Sequence, residues 1–124
     1  QKTEANNSFI KYYEDNYYDW LYGNSDDKPV LSQTLFKEKV FPLIDNQEKT
    51  FFLLIDNLRY DQWKIIQPMV ENYFRVEDDS IYYSILPTTT QYARNALFSG
   101  MMPGEIRKHY PNYWTDEEDD GSKN

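Results

Sequence analysis

The segment at residues 86–100, with the sequence LPTTTQYARNALFSG, constrains the fold of this chain more than any other part of it. Pro87 cannot donate a hydrogen bond to a neighbouring strand, so it is expected to end the extended run at residues 81–85. Good helix formers follow the three threonines at 88–90, one of which is expected near the N-cap, and Gly100 supplies the stop. The sequence therefore predicts a strand, a turn rich in hydroxyl groups, and a helix.

The N-terminus of this predicted helix is a place where an anion can bind. The first backbone N–H groups of a helix have no acceptor within the helix, and the helix dipole puts positive charge at the same end. A phosphate group is the most natural ligand for such an end. The segment at residues 86–100 therefore predicts a phosphate site with hydroxyl groups beside it.

Two helices are predicted before the first strand. Apolar and aromatic side chains recur at three- and four-residue steps over residues 8–23, which predicts an amphipathic helix whose aromatic stripe is packing surface. Residues 24–29 (NSDDKP) predict a connector, and a second helix is expected within residues 32–45, where Pro42 kinks it or ends it early. Residues 1–49 are therefore interpreted as helices that precede the main domain.

The run FFLLI at residues 51–55 predicts a strand buried on both faces of a parallel sheet, because it is continuous, apolar and short. A helix predicted at residues 62–73 separates it from the strand at 81–85, and this order predicts a right-handed crossover. The predicted fold class is α/β, with parallel sheet strands and flanking helices. Residues 50–115 form the main domain in this interpretation, and residues 116–124 (DEEDDGSKN) form an acidic, disordered tail.

The first predicted strand ends at Asp56 and the second is followed by the threonines, so these groups are expected at the same edge of the sheet. A carboxylate there suits a divalent cation, and a threonine hydroxyl needs a base or a metal before it can attack phosphorus. Arg59 and Arg94 can clamp phosphate oxygens. In the other interpretation, Asp56 and the threonines only cap a turn and a helix, and the arginines are solvated or paired with acids.

Charge and composition narrow the class of protein. The formal net charge of −8 argues against general attraction to a nucleic-acid backbone, although bound metal cations can supply local positive charge. The absence of Cys excludes disulfides and thiolate metal sites. No apolar run approaches the length of about 18 residues that a membrane span needs, and no signal-peptide pattern opens the chain. We therefore expect a cytoplasmic protein with no membrane partner.

Three blocks of the sequence resemble a known family: LLIDNLRYDQW at residues 53–63, the segment at 86–100, and MPGEI at 102–106. Together they resemble the PglZ domain of the alkaline phosphatase superfamily, and more narrowly the effector domain of PorX-type response regulators of Bacteroidetes. The resemblance covers nearly the whole chain. It implies a partial alkaline-phosphatase-like fold and a zinc-dependent phosphodiesterase or phosphatase, with two zinc ions in the complete domain and phosphodiesters such as oligonucleotides as substrates.

The resemblance also implies roles for individual residues. Asp56 matches the acid that closes the first strand of the superfamily and binds a divalent metal, usually zinc. Thr90 matches the nucleophile, which also binds the second metal, and Thr89 is the next candidate for that role. The residues predicted to bind the substrate are Arg94, Asn95 and Arg59.

In the superfamily, further Asp and His ligands come from later positions, and after Gly100 this sequence offers only His109 and the acidic tail. The chain is therefore interpreted as the first part of the effector domain of a longer two-component response regulator, inactive by itself. The resemblance implies a receiver domain as partner in the parent chain and a role in type IX secretion. A further interpretation of the first two helices is a connector or a homodimer surface between receiver and effector. The alternative is a non-catalytic regulatory or protein-binding module that retains the fold.

Overall fold

The computed structural model describes residues 1–24, 26–44 and 49–114. The tail predicted at residues 116–124, the last residue of the predicted main domain and the end of the second predicted helix lie outside these ranges. The helices are α1 (Lys2–Tyr22), α2 (Phe41–Ile44), α3 (Tyr60–Val70), α4 (Thr90–Ser99) and α5 (Pro103–His109), with a π-helical turn at Phe36–Val40 and a 3-10 turn at Pro111–Tyr113. None of the helices in these ranges has the length and hydrophobicity needed to span a bilayer.

The parallel sheet predicted from the sequence is wrong for the described part of the chain. Its residues form no strand, and the one β pairing found there is an isolated parallel bridge between Leu31 and Tyr83. Without a sheet there is no right-handed crossover in these ranges either. The described residues therefore form a helical fold with extended connections, and not the α/β fold that the apolar runs predict.

The segment at residues 51–55 shows why this prediction failed. It is extended, but Phe51 is 86% exposed and Leu53 84%, against 42% for Phe52 and 44% for Leu54. The half-covered face packs through Phe52 onto Phe36 and Phe98, with ring centroids 4.9 and 6.0 Å away. A continuous apolar run does not fix how many of its faces are buried, because that depends on neighbours that are distant in the sequence.

Residues 30–32 provide the backbone partner of the second extended segment. The N–H of Ser32 donates to the carbonyl of Tyr83 (3.1 Å), and the N–H of Tyr83 donates to the carbonyl of Val30 (2.9 Å). The buried hydroxyl oxygen of Ser32 accepts a hydrogen bond from the N–H of Ile85 (3.2 Å), which satisfies a donor that water does not reach. The second helix is predicted within residues 32–45, and its π-helical turn begins at Phe36, with Leu35 before it already in helical geometry.

Helix α1 packs its aromatic stripe on the same segment, which confirms that the stripe is packing surface. The rings of Tyr13 and Trp20 lie 5.9 and 4.8 Å from the ring of Tyr83, and Trp20 is buried. The Tyr13 hydroxyl donates to the carbonyl of Ser84 (2.7 Å), and the Tyr17 hydroxyl accepts from the N–H of Leu86 (3.0 Å). Aromatic packing and these two hydrogen bonds tie the helix to the chain that leads into residues 86–100.

The start of α1 at Lys2 is earlier than the predicted start at residue 8. No residue in between stops a helix, and Glu4 in the first turn complements the positive end of the helix dipole. Pro42 does not end the second predicted helix, because it lies inside the short helix α2. Helix α2 directly follows the π-helical turn, in which the N–H of Phe41 bonds the carbonyl of Phe36.

Helix α4 follows the prediction closely. Its N-cap is Thr89, and it ends at Gly100, whose φ of 68° lies in the left-handed region that glycine adopts without strain. Ala96 and Leu97 are buried on its inner face. The chain enters this region through a cis peptide bond between Leu86 and Pro87.

Helix α3 begins earlier than predicted, and in both α3 and α5 a side chain satisfies the backbone at the start. Gln62 Oε1 accepts from the N–H of Arg59 (3.0 Å), so α3 begins at Tyr60. In α5 a carboxylate oxygen of Glu105 accepts from the N–H of Met102 (2.8 Å), and the first helical residue is a proline, which needs no acceptor at that position.

Candidate functional site

A cavity of about 190 Å³ lies between the end of the extended segment 51–55, the segment 82–84 and the first turns of α4. Ten residues from these three parts of the chain line it: Leu54, Asp56, Asn57, Tyr82, Ser84, Thr88, Thr90, Ala93, Arg94 and Leu97. The acid and the alcohol that the sequence analysis places at one site, Asp56 and Thr90, therefore line the same cavity. They meet through the packing of helix α4 and not through a shared sheet edge.

Asp56 is positioned by the turn that ends the extended segment. The N–H of Asn57 donates to Asp56 Oδ1 (2.8 Å), and Asn57 has a φ of 59°. Asparagine is one of the few residues that adopt this left-handed conformation readily. Within the described ranges the second carboxylate oxygen of Asp56 has no hydrogen-bond donor, so the turn uses one oxygen and leaves the other for a ligand.

Two threonines of the hydroxyl-rich turn, Thr88 and Thr90, line the cavity at the start of α4. Thr90 is the first residue of the helix, where the N–H has no acceptor within the helix. Thr89, between them, is not among the lining residues. The side chain of Thr89 makes no capping hydrogen bond, so the alternative of a purely structural cap does not describe it.

Arg94 lies one helical turn after Thr90, on the same face of α4, and lines the cavity. It is half-buried, and no carboxylate in the described part of the chain forms an ion pair with it. An arginine held in this way can bind the oxygens of a phosphate.

The other two predicted substrate-binding residues lie outside the cavity. Asn95 is exposed on α4. Arg59 forms a two-point ion pair with Asp61, with Nε to Oδ1 at 2.9 Å and Nη2 to Oδ2 at 2.7 Å. The Arg59 guanidinium lowers the pKa of the Asp61 carboxyl group, and both side chains are solvent-exposed. Arg59 therefore has a partner of its own at the start of α3.

Tyr82 and Ser84 line the cavity although they are not among the predicted site residues. Burial, and then the negative charge of Asp56, raise the pKa of the Tyr82 hydroxyl group above its ordinary value. The signal for this pair is the alternation of an extended chain, which puts residues 82 and 84 on the face opposite Tyr83 and Ile85. Tyr83 packs on Trp20 of α1 and Ile85 is buried, while Tyr82 and Ser84 line the cavity.

The donor groups of the cavity do not amount to the two-zinc site that the resemblance implies. Asp56 is the single carboxylate among the described residues that line it, and its other oxygen donors are neutral hydroxyl and amide groups. No group of three or more His, Cys, Asp or Glu side chains in the described ranges could hold a metal ion. His109 is exposed at the end of α5. A zinc centre here requires additional ligands, because zinc in proteins takes three or four nitrogen, sulfur or carboxylate ligands.

One cavity is thus lined by a carboxylate, a hydroxyl group at a helix start and an arginine that has no ion pair within the described part of the chain. Residues 35–124 match the family model of the BREX system PglZ alkaline phosphatase-like domain, and the chain belongs to this family. The resemblance to a PglZ domain is thereby confirmed, and alkaline phosphatase-like domains generally use metal ions. A comparison with the curated proteins found no match.

Proposed function

We propose that this chain forms part of a hydrolase domain that cleaves phosphate esters, with Thr90 as the nucleophile. The observation that carries the proposal is the cavity lined by Asp56, Thr90 and Arg94, in a member of an alkaline phosphatase-like family. A phosphate in this cavity would accept hydrogen bonds from the N–H of Thr90 and from the guanidinium group of Arg94.

The chemistry follows from the groups present. The hydroxyl oxygen of Thr90 would attack phosphorus and form a phosphothreonine, while the bond between phosphorus and the ester oxygen breaks. The alcohol leaves with the proton that Thr90 gave up, and water then cleaves the phosphothreonine, which restores Thr90 and releases the phosphate product. A threonine hydroxyl is a weak nucleophile until its proton is removed, so it needs a neighbouring base or a cation. Asp56 is the anionic side chain at hand, and Arg94 offsets the negative charge of the phosphate oxygens as the bond to the leaving group breaks.

Zinc is the metal that the resemblance implies, and we propose Asp56 as one of its ligands. The described residues supply no second carboxylate or imidazole to the cavity, so the remaining ligands would come from outside the described ranges. The roles assigned to Thr90 and Arg94 do not depend on which metal completes the site.

Further parts of the proposal rest on the resemblance alone. The substrates would be phosphodiesters such as oligonucleotides, and the parent protein would be a cytoplasmic response regulator whose receiver domain controls the effector domain. A role in type IX secretion belongs to the same proposal, whereas the proposed homodimer rests on the first two helices. With a formal net charge of −8, the chain would depend on Arg94 and bound cations to attract such anions.

The test uses the full-length protein that contains this chain, zinc, and bis(4-nitrophenyl) phosphate as a chromogenic diester. Thr90→Ala is expected to lower kcat by at least about 100-fold, because the covalent step loses its nucleophile. Thr89→Ala is the matched control and should stay within about threefold of the wild type, since Thr89 is not among the residues that line the cavity. Full activity of Thr90→Ala would remove Thr90 from the mechanism.

The second candidate is a regulatory or protein-binding module that retains the fold without catalysis. It is favoured by the lack of any group of three metal-ligating side chains in the described ranges. Metal analysis of the purified full-length protein separates the two. Tightly bound zinc supports the hydrolase, whereas protein that takes up no zinc at any pH supports the module.

A further inference from the structure

An open groove of about 570 Å³ runs between α1 and residues 81–88 and meets the candidate cavity. The two spaces share three lining residues, Tyr82, Ser84 and Thr88. Most of the groove is apolar or aromatic, and the residues that give it this character are Phe9, Ile10, Tyr13, Ile81, Tyr82, Tyr83 and Leu86. Glu14 is the one charged residue among the described residues that line it.

The wall formed by α1 is held firmly in place. The ring of Phe9 stacks on Tyr83 with centroids 6.5 Å apart and planes 7° from parallel, and the Tyr13 hydroxyl bonds the carbonyl of Ser84. Ile10 and Leu86 nevertheless remain about half exposed, at 52% each, and Ile81 is 77% exposed. The groove thus combines aromatic side chains that are held in place with exposed apolar side chains that a ligand can contact.

We propose that this groove binds the organic group of a phosphate ester, with an aromatic ring as the preferred group, while the phosphate lies beside Thr90 and Arg94. This inference rests on the proposed function. A cavity of about 190 Å³ accepts a phosphoryl group with few further atoms. The rest of a bound ester must therefore extend out of the cavity, across its rim. Because the groove shares lining residues with the cavity, it is the space that the rest of the ester would enter from that rim.

The charge of the groove selects the kind of organic group. Its lining contains Glu14 and no cation among the described residues, so a second phosphate would meet repulsion there. An uncharged ring, by contrast, would cover exposed apolar side chains and contact the edges of Tyr13 and Tyr82. The groove therefore favours an uncharged aromatic group next to the phosphate that is cleaved, over a second phosphate at that position.

The experiment compares phenyl phosphate with methyl phosphate, titrated into the isotope-labelled chain and followed by backbone NMR signals. At about pH 8 both probes are dianions, because the second pKa of such esters is about 6. Phenyl phosphate is expected to bind about tenfold more tightly, equivalent to about 1.4 kcal/mol. It should shift signals of both the groove and the cavity, whereas methyl phosphate should shift those of the cavity alone.

Three variants make the comparison specific. Ile10→Gln and Ile81→Gln change exposed groove residues and should reduce the preference for phenyl phosphate to about threefold or less, with methyl phosphate unaffected. Ile65→Gln is the matched control, because Ile65 is 70% exposed on α3 and lines neither space, and it should retain the full preference. Circular dichroism establishes that each variant is folded.

The outcomes separate this inference from the function on which it rests. Equal affinities for the two esters, with both weakened by Arg94→Gln, would overturn the groove and retain the phosphate site. A preference for phenyl phosphate that survives both groove variants would also overturn it. If neither ester shifts the signals of Thr90 and Arg94, the proposed phosphate site fails and the groove assignment fails with it.

Discussion

Removing the hydroxyl group of Tyr13 tests how α1 is attached to the candidate site. This group donates a 2.7 Å hydrogen bond to the carbonyl of Ser84, across a part-buried contact between residues that are far apart in the sequence. Tyr13→Phe keeps the ring and its contacts with Tyr17 and Tyr83 and removes the donor. The substitution therefore isolates the hydrogen bond from the aromatic packing.

The size of the effect follows from this contact. A neutral hydrogen bond contributes about 1 kcal/mol net, and a buried carbonyl without its donor costs about 1–3 kcal/mol. Because Ser84 is only half-buried, water can replace part of the lost bond, so we expect a loss of about 1–2 kcal/mol in the free energy of unfolding. For a chain of this size the corresponding fall in Tm is about 4–8 °C.

The same hydroxyl group also makes the free energy of unfolding depend on pH in the alkaline range. Burial, and then the neighbouring Tyr17, raise the pKa of Tyr13 to about 12, whereas a tyrosine in an unfolded chain titrates near about 10. The folded state thus holds the proton more tightly, so this stabilisation is complete below about pH 10 and is lost as the pH rises through the folded-state pKa. Without solvent screening, the difference between the folded and unfolded pKa values corresponds to about 2.7 kcal/mol in the free energy of unfolding. Partial solvent exposure of Tyr13 reduces this contribution to about 1 kcal/mol.

The assay is urea unfolding of the chain, followed by circular dichroism near neutral pH and again at about pH 11, which lies inside this window. Tyr18→Phe is the control, because Tyr18 is on the same helix and is 71% exposed. The free energy of unfolding of this variant should differ from that of the wild type by less than about 0.5 kcal/mol. Tyr13→Phe should be less stable than the control at neutral pH and should lose less stability on alkalinisation. The reasoning is refuted if Tyr13→Phe matches the control at both pH values.

Further predictions concern the backbone around the candidate site, each measured as the free energy of unfolding in urea. Ser32→Ala should cost about 1–3 kcal/mol, because the N–H of Ile85 would be buried without an acceptor, while Ser8→Ala on the exposed side of α1 should cost less than about 0.5 kcal/mol. Gly100→Ala should cost about 1 kcal/mol, since its φ of 68° strains a residue with a Cβ atom. Asn57→Ala should cost about 1 kcal/mol for the same reason and Asn57→Gly close to nothing, a pattern that equal losses would contradict.

Helix α4 was predictable because its signals are local. A threonine at the N-cap, an uninterrupted run of helix formers and a glycine at the C-terminus are all read from neighbouring residues, and the structure places the helix at Thr90–Ser99. Pro42 did not act in this way, since helix α2 continues past it to Ile44. Features of this kind depend on the chain within a turn or two.

Whether the apolar runs join a sheet was not predictable from local signals, because a strand forms only when its backbone bonds to another segment of the chain. The partner of residues 83–85 is the segment 30–32, which the sequence presents as a connector and the start of a helix. The apolar run at 51–55 is half-covered by phenylalanines from the π-helical turn and α4. Its composition fits that arrangement and a buried strand equally well.

The candidate site contains residues that the sequence predicted and a residue that it did not. Asp56 and Thr90 were expected together because each follows an extended segment, and they do line one cavity, although the sheet behind that expectation does not form in the described residues. Their catalytic and metal-binding roles stay predictions. Tyr82 was missed because its place in the cavity follows from the packing of the opposite face of its segment on α1.

The attachment of α1 has a practical consequence for anyone who expresses this protein. The family match begins at residue 35, whereas α1 ends at Tyr22 and supplies both tyrosine hydroxyls bonded to residues 84–86. Trimming the gene to the matched region would uncover the ring of Tyr83, remove one wall of the groove and also delete the β partner at residues 30–32. A soluble recombinant fragment should therefore retain the whole of α1.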